Sequence, residues 1–262
     1  MVSKKPTKEG VQAPMGGDDR VAIIDGARTP FAKAWTVFKD WNQADLARAA
    51  VNELVNESEI DPHEVDEVVM GCVSAPMDGP NVAREVVLRT ALPRHIPAYT
   101  VQMYCASSAL SATNAAGDIL MGAADVVIAG GVESTSSTQA RISLPLSHAL
   151  NEASNAKSPM EMVKAFEGLE PGDLLPDVPA IAEPTTGKRM GDSGETMAKK
   201  YDITRQDQDE YAEMTHHRAA AAYEEGKFPE VATVYTGEDL DQESPEALAA
   251  QKHNTRPPDV LL

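Results

Sequence analysis

The stretch Val101-Gln102-Met103-Tyr104-Cys105-Ala106-Ser107-Ser108-Ala109-Leu110 joins two kinds of sequence, and their junction decides how the rest of the chain is read. Residues 101–104 include β-branched and aromatic side chains and no breaker, which predicts a strand. Beyond them Ala109, Ala112, Ala116, Ile119 and Leu120 recur at three- and four-residue spacing, which predicts the buried face of a helix made mostly of small residues. Cys105 is therefore expected at a strand-to-helix turn. The first turn of a helix leaves backbone N–H groups unpaired and carries partial positive charge, so an anion is stabilised there. A thiol in that position can have its pKa lowered from about 8.5 toward neutrality, and the same N–H groups are placed to hold a thioester carbonyl oxygen as it becomes an oxyanion. Cys105 is thus the candidate nucleophile. Cys72, in Val68-Val69-Met70-Gly71-Cys72-Val73 with no helix start after it, reads as a buried structural thiol.

Outward from this junction, the first 135 residues alternate strands and helices. A strand over residues 21–25 precedes a helix over residues 45–55 with Ala47, Ala50, Val51, Leu54 and Val55 on one face. Asp61-Pro62-His63-Glu64 is a capping signal with proline at the first helical position, followed by a strand over residues 68–73. Asn81 is placed to cap a helix carrying Val82, Val86 and Val87, and a strand over residues 126–129 follows the helix after Cys105. Such alternation predicts an α/β architecture, a sheet with helices on its faces and function at the carboxyl ends of the strands.

Several segments carry a resemblance. Gly122-Ala123-Ala124-Asp125-Val126-Val127-Ile128-Ala129-Gly130-Gly131-Val132-Glu133-Ser134 directly follows the small-residue helix. Arg20-Val21-Ala22-Ile23-Ile24-Asp25-Gly26-Ala27-Arg28-Thr29-Pro30-Phe31 opens the ordered sequence, and Met190-Gly191-Asp192-Ser193-Gly194-Glu195-Thr196-Met197-Ala198 is followed by Arg205-Gln206-Asp207-Gln208-Asp209 and Arg218-Ala219-Ala220-Ala221-Ala222. In this order the segments resemble the thiolase family from about residue 20 to about residue 235. Asn81-Val82-Ala83-Arg84-Glu85 and Gly187-Lys188-Arg189-Met190-Gly191 look most like the β-subunit branch of the fatty-acid-oxidation complex. Where many relatives have C-G-S-G, this chain has Cys105-Ala106-Ser107-Ser108.

The resemblance implies a layered thiolase-type fold and three regions: a disordered leader at 1–19, an N-terminal core half at 20–135, and a loop-domain insert at 136–262 that is incomplete at its C-terminal end. Complete thiolases resemble two similar halves, and the second carries an activating histidine and a second cysteine that moves a proton at the α-carbon. Its N-E-A-F or H-E-A-F, G-H-P-x-G and C-x-G-G segments do not occur in this sequence, so the expectation is an N-terminal portion with the second half absent. The later histidines fit neither role. His148 stands alone, His216 and His217 are neighbours on a predicted helix and point to different faces, and His253 lies in a polar tail.

The activity implied is thiolytic cleavage of a 3-ketoacyl-CoA to acetyl-CoA and a shortened acyl-CoA, or the reverse condensation, through an acyl-Cys105 intermediate. Coenzyme A and acyl-CoA are substrates, with no tightly bound cofactor and no metal. Met190 matches a family position near the acyl thioester, and Lys188 with Arg189, or Arg218, supplies a basic patch for coenzyme A phosphates. The family implies a homo-oligomer or a complex with a β-oxidation α-subunit. Two other readings stand beside this one: a β-ketoacyl synthase relative, disfavoured by the Met190-Gly191 segment inside a long insert, and a non-catalytic half or scaffold subunit of a split thiolase.

Composition limits the alternatives. Forty-one acidic against 23 basic residues give a net charge of -18, which argues against nucleic acid or an anionic membrane surface as partner. Two cysteines without a Cys-x-x-Cys pair suit a reducing cytoplasm and exclude a disulfide framework. No window approaches the roughly 18 apolar residues of a membrane span. Thr186-Gly187-Lys188 lacks the first glycine and the leading strand of a phosphate loop. Residues 136–182 mix prolines and short apolar pairs; the weakly amphipathic run 159–169, with Met160, Met162, Val163 and Phe166, is expected to pack on the core. Thr204 and Asp207 predict the cap of a long helix ending at Gly226, with Tyr211, Ala212, Thr215, Ala219 and Ala222 on its apolar face.

Overall fold

The computed structural model describes residues 2–3, 20–176, 182–232 and 234. These fall into two compact units, one formed from Met1–Thr138 with Phe228–Leu262 and the other from Gln139–Lys227. The polar region after residue 234, with His253, lies outside the described residues, and of the expected leader only the backbone of residues 2–3 is described.

The first unit is built on a five-stranded sheet of order β2-β1-β5-β3-β4, formed by β1 (Val2–Ser3), β2 (Ala22–Ile23), β3 (Glu67–Gly71), β4 (Ala98–Val101) and β5 (Val126–Gly131). β3 lies between β4 and β5 and is parallel to both, whereas β1 is antiparallel to β5 and β2. The helices are α1 (Gln43–Glu57), α2 (Val82–Arg89) and α3 (Ser107–Met121). The chain leaves β3 in one direction through α2 to β4, then crosses back through α3 to β5 on the far side. Because parallel crossovers are right-handed, the reversal places α2 and α3 on opposite faces.

The period of two along β3 shows this division. Val68 and Met70 join Ile128 and the buried faces of α1 and α2 in one cluster, while Val69 joins Val127, Ala115, Ile119 and Ala124 in the other. Helix starts follow local chemistry. Asn42 accepts from the Asp45 N–H at 3.0 Å and Asp45 returns a bond to the Asn42 N–H, closing a capping box on α1. Asn81 accepts from the Arg84 N–H at the start of α2, and Asp61 caps a 3-10 turn at Pro62–Glu64 rather than a full helix.

Two sequence expectations shift here. The strand before Cys105 is Ala98–Val101, not residues 101–104, because Tyr104 adopts a left-handed φ of 47° that no strand tolerates. The buried stripe of α3 is Ser107, Ser111, Ala115 and Ile119, while Ala109 and Ala112 are exposed. A serine stripe is buried because its hydroxyls find backbone carbonyls: Ser111 Oγ donates within 2.6 Å of Gly130 O.

The second unit consists of α4 (Leu144–Asn155), α5 (Pro159–Lys164), α6 (Met190–Lys200), α7 (Arg205–Glu224) and short turns. Thr204 and Asp207 form the expected capping box, and Gly226 at φ 64° ends the α7 segment. The expected burial of Met160, Met162, Val163 and Phe166 is not found; all four are exposed. With six residues, α5 makes under two turns and cannot present a continuous stripe. α7 likewise has no buried residue.

Candidate active site

The carboxyl ends of three strands meet at one level, since Gly71 pairs in register with Val101 on one side and Gly131 on the other. The chain leaves β4 at this rim and enters α3 through a tight turn bearing Cys105, whose side chain is exposed. Ser107, 5 % exposed, pins the turn. Its hydroxyl accepts from the Met103 N–H at 2.8 Å and donates to Tyr104 O at 2.6 Å. Backbone bonds from Ala106 N to Met103 O and from Ser107 N to Tyr104 O complete it. A non-glycine residue at positive φ costs about 1–2 kcal/mol, so Tyr104 marks a turn held by its surroundings.

Cys105 lies immediately before the N-cap of α3, Ala106, whose side chain makes no capping bond. The N–H groups of Ala106 and Ser107 are taken up within the turn, and no side chain caps those of Ser108 and Ala109, which are left to water or to an incoming carbonyl oxygen. Among the described residues, no side chain hydrogen-bonds to the Cys105 sulfur. The other thiol contrasts with it: Cys72 is 3 % exposed, and burial, with the Glu133 carboxylate adding to it, pushes its pKa up to about 12.

The seat of α3 is built from glycine. A Cβ added at Gly71 would lie 2.4 Å from Ser107 C and 2.7 Å from Ser108 N, and one added at Gly131 would lie 2.6 Å from Ser108 Cβ. The helix start therefore rests directly on the backbone of β3 and β5. Glu133 fastens the adjoining loop, accepting from the N–H groups of Val73 at 2.9 Å and Ser74 at 3.1 Å. Neither the glycine seat, the Ser107 pin nor the Glu133 clamp was legible as such in the sequence. The Gly130-Gly131 pair at the end of a strand was the available signal for the seat.

A cavity of about 290 Å³ beside the end of β5 is lined by Arg28, Phe31, Lys33, Met70, Glu133 and Ser134, among others, but not by Cys105. Arg28 lies 5.3 Å from the Phe31 ring centroid and ion-pairs with Glu230 at 3.3 Å.

In the second unit, Met190 is the first residue of α6 and is 77 % exposed. Lys188, Arg189 and Arg218 are exposed, and so are His148, His216 and His217, the last paired with Glu213 at 3.7 Å. Among the described residues there is no cluster of metal-ligating side chains and no helix long and apolar enough to cross a membrane.

Comparison with known proteins places this geometry. A family model described as the thiolase N-terminal domain matches residues 21–254. The 3-ketoacyl-CoA thiolase of Yersinia enterocolitica is 42% identical over 218 residues, covering 83% of this chain and 50% of that protein. That of Erwinia tasmaniensis is 43% identical over 208 residues, covering 79% and 48%. Among solved structures, the Bacillus anthracis acetyl-CoA acetyltransferase superposes with a TM-score of 0.66 at 28% identity, over 80% of this chain and 49% of that one. A thiolase of Ascaris suum solved in complex with coenzyme A gives 0.65 at 22% identity, over 81% and 51%, a likeness of fold alone. The chain spans about half the length of the curated relatives it matches.

Proposed function

The chain belongs to the thiolase family, and from that premise we propose that it serves thiolytic acyl transfer with Cys105 as the acyl-carrying nucleophile. The observation that carries this reading is the exposed thiol on a strained turn against the uncapped start of α3. The Cys105 thiolate attacks the keto carbon of a 3-ketoacyl-CoA, and the carbonyl π electrons move to oxygen, where the first-turn N–H groups of α3 stabilise the charge. Collapse of the tetrahedral adduct breaks the bond between the α-carbon and the keto carbon. The α-carbon keeps the electron pair and takes up a proton, giving acetyl-CoA. The acyl group, now a Cys105 thioester, passes to the thiolate of a second coenzyme A and frees the enzyme thiol. Cys72, buried and held protonated, does not suit the proton step at the α-carbon.

On the same premise, the unit Gln139–Lys227 is read as the loop domain that covers the acyl chain and holds coenzyme A. Met190 is its contact to the acyl thioester, and Lys188, Arg189 and Arg218 are its phosphate ligands. The similarity to 3-ketoacyl-CoA thiolases supports a place in fatty-acid β-oxidation; with that reading go a cytoplasmic location and a homo-oligomer or a complex with an α-subunit. The 3-ketoacyl-CoA thiolase relatives support coenzyme A as a substrate here, used in turnover and not held as a resident cofactor.

Intact-protein mass after incubation with a 3-ketoacyl-CoA tests the proposal. An acyl adduct that disappears in Cys105→Ser and is discharged by coenzyme A is the expected result. An unmodified wild-type chain overturns it and favours a non-catalytic subunit, which the lack of a hydrogen-bonding partner on the Cys105 sulfur among the described residues would then explain. Alkylation adds a second check. At pH 8 a thiol with a pKa of about 12 is ionised in only about one molecule in ten thousand, so iodoacetamide is expected to modify Cys105 and spare Cys72 until the core unfolds.

A further inference from the structure

We propose that Gly71 and Gly131 are positioning residues for the reacting thiol: their bare backbones form the seat on which the first turn of α3 rests, and this seat fixes where Cys105 stands. The inference rests on the reading of Cys105 as the nucleophile and adds the reason its turn is held in register.

Neither glycine is required for its backbone angles. Among the described residues the glycines at positive φ are Gly122, Gly168, Gly187 and Gly226, so Gly71 and Gly131 occupy conformations open to any residue. What they supply is space. A Cβ at Gly71 would strike the backbone of Ser107 and Ser108 at 2.4 to 2.7 Å, and backbone cannot swing aside. A Cβ at Gly131 would lie 2.6 Å from Ser108 Cβ, and ordinary contact begins near 3.4 Å, so the helix start must retreat by most of an ångström. Gly130, next in sequence, is the contrast: a Cβ there would meet only Met70 Cε and Sδ at an ordinary 3.5 Å.

The displacement has a short path to the thiol. Ser107 belongs to the first turn of α3, and its hydroxyl is bonded at both ends of the Met103–Tyr104 segment that leads into Cys105. Pushing Ser107 and Ser108 off the strand ends therefore carries Cys105 with them. Nucleophilic attack needs the reacting atoms in near-attack geometry, and a misplacement of about 1 Å can cost on the order of 100-fold in rate. Overpacking of this kind costs about 1–3 kcal/mol, so the folded state of each variant is read separately from its rates.

The test uses the protein at its natural length and compares Gly131→Ala, Gly130→Ala, Ser108→Gly and the double variant Gly131→Ala with Ser108→Gly. Two quantities are read on each: the rate of acyl-adduct formation at saturating 3-ketoacyl-CoA and the rate of Cys105 alkylation by iodoacetamide. Protection of Cys72 from the same reagent reports that the core is folded. The expected result is a roughly 10- to 100-fold slower acylation in Gly131→Ala, with half-saturation by the acyl-CoA little changed and the alkylation rate displaced from wild type. Gly130→Ala should behave as wild type. The double variant should recover most of the loss, because removing Ser108 Cβ removes the collision. Gly131→Ala that is folded yet matches Gly130→Ala in both rates overturns the proposal, and so does a defect that Ser108→Gly does not relieve. A wild-type protein that never acylates defeats the reading of Cys105 alone. The alkylation rates across the four variants then still decide whether the seat sets the position of the thiol.

Discussion

The two units of this chain are held by different physics. The unit built on the sheet buries two apolar clusters, one on each face, in which Val68, Val69, Val82, Val86, Val127, Ile119 and Ile128 are almost wholly out of water. Within Gln139–Lys227 the buried residues among those described are Ser143, Ala149 and Ala153. Its helices are delimited instead by local chemistry: Ser143 caps α4, Ser158 caps α5 and Thr204 caps α7. Along α7, side-chain pairs four residues apart, Arg205 with Asp209 at 2.9 Å and Gln206 with Glu210 at 2.7 Å, add to the cap. The difference teaches where each kind of change will be felt, in apolar volume in the first unit and in helix ends in the second.

The largest effect expected from this contrast is in the core. Ile119→Ala removes a fully buried side chain between α3 and the sheet and should cost about 2–5 kcal/mol. Met162→Ala, at a residue 50 % exposed, should fall within about 0.5 kcal/mol of wild type. Both tryptophans, Trp35 and Trp41, belong to the first unit, so fluorescence during denaturant unfolding reports on it directly. Equal costs for the two variants would break the comparison.

A smaller and more local effect is expected at a cap. Thr204→Ala deletes the hydroxyl that accepts from the Asp207 N–H at 3.1 Å and should cost about 1 kcal/mol of helix stability. Because α7 has no buried residue to compensate, the loss should appear as faster amide exchange across Arg205–Glu224, with the amides of β3 unchanged. Unchanged exchange in α7 would mean that something other than its cap holds it.

The same contrast explains how much was legible in the sequence. From residue 20 onward in the first unit the order of strands and helices, the Asn81 cap and the buried role of Cys72 followed from period and punctuation, because burial on two faces constrains nearly every position, whereas the short strand Val2–Ser3 did not. The end of β4 and the face of α3 did not follow. Tyr104 adopts a left-handed turn that its side chain does not advertise, and serine hydroxyls satisfied by Gly130 O and Tyr104 O take positions that an apolar count gives to Ala109 and Ala112. Cys105 was legible as a candidate nucleophile through its place after a strand; the glycine seat beneath it was not, since contact between β3, β5 and α3 is a property of the assembled sheet. In the second unit the Thr204 cap was legible; the Ser143 and Ser158 caps and the burial were not. The alternation of apolar residues in 159–169 has no core there to face.

The smallest predicted effect concerns carboxyl groups and has opposite signs in the two units. At the amino end of β3, Glu67 is partly desolvated and lies near Asp118, and both effects raise its pKa above the ordinary carboxylate value. The Tyr99 phenol, bonded by Asn114 Nδ2 at 3.4 Å, completes the group on that face. A carboxyl whose pKa rises on folding favours the native state below its unfolded pKa, and the advantage is lost as pH climbs through the raised value. Stability of the first unit should therefore fall slightly from pH 5 to 7.5 relative to Glu67→Gln, which cannot ionise. Partial exposure keeps the difference below about 1 kcal/mol. Glu183 in the second unit is the reverse case: hydrogen bonds from Thr186 and Thr185, whose N–H groups lie at 2.7 and 3.0 Å, hold it down at about 2. Its contribution is present above the ordinary carboxylate pKa and is lost only as pH falls toward 2, so Glu183→Gln should leave the slope between pH 5 and 7.5 untouched. Urea unfolding across that range checks the pair, followed by tryptophan fluorescence for Glu67→Gln and by far-UV circular dichroism, which sees the helices of the second unit, for Glu183→Gln. A flat difference for Glu67→Gln would mean that water reaches the amino end of β3 freely, and the first unit's claim to exclude it would end short of that strand's first residue.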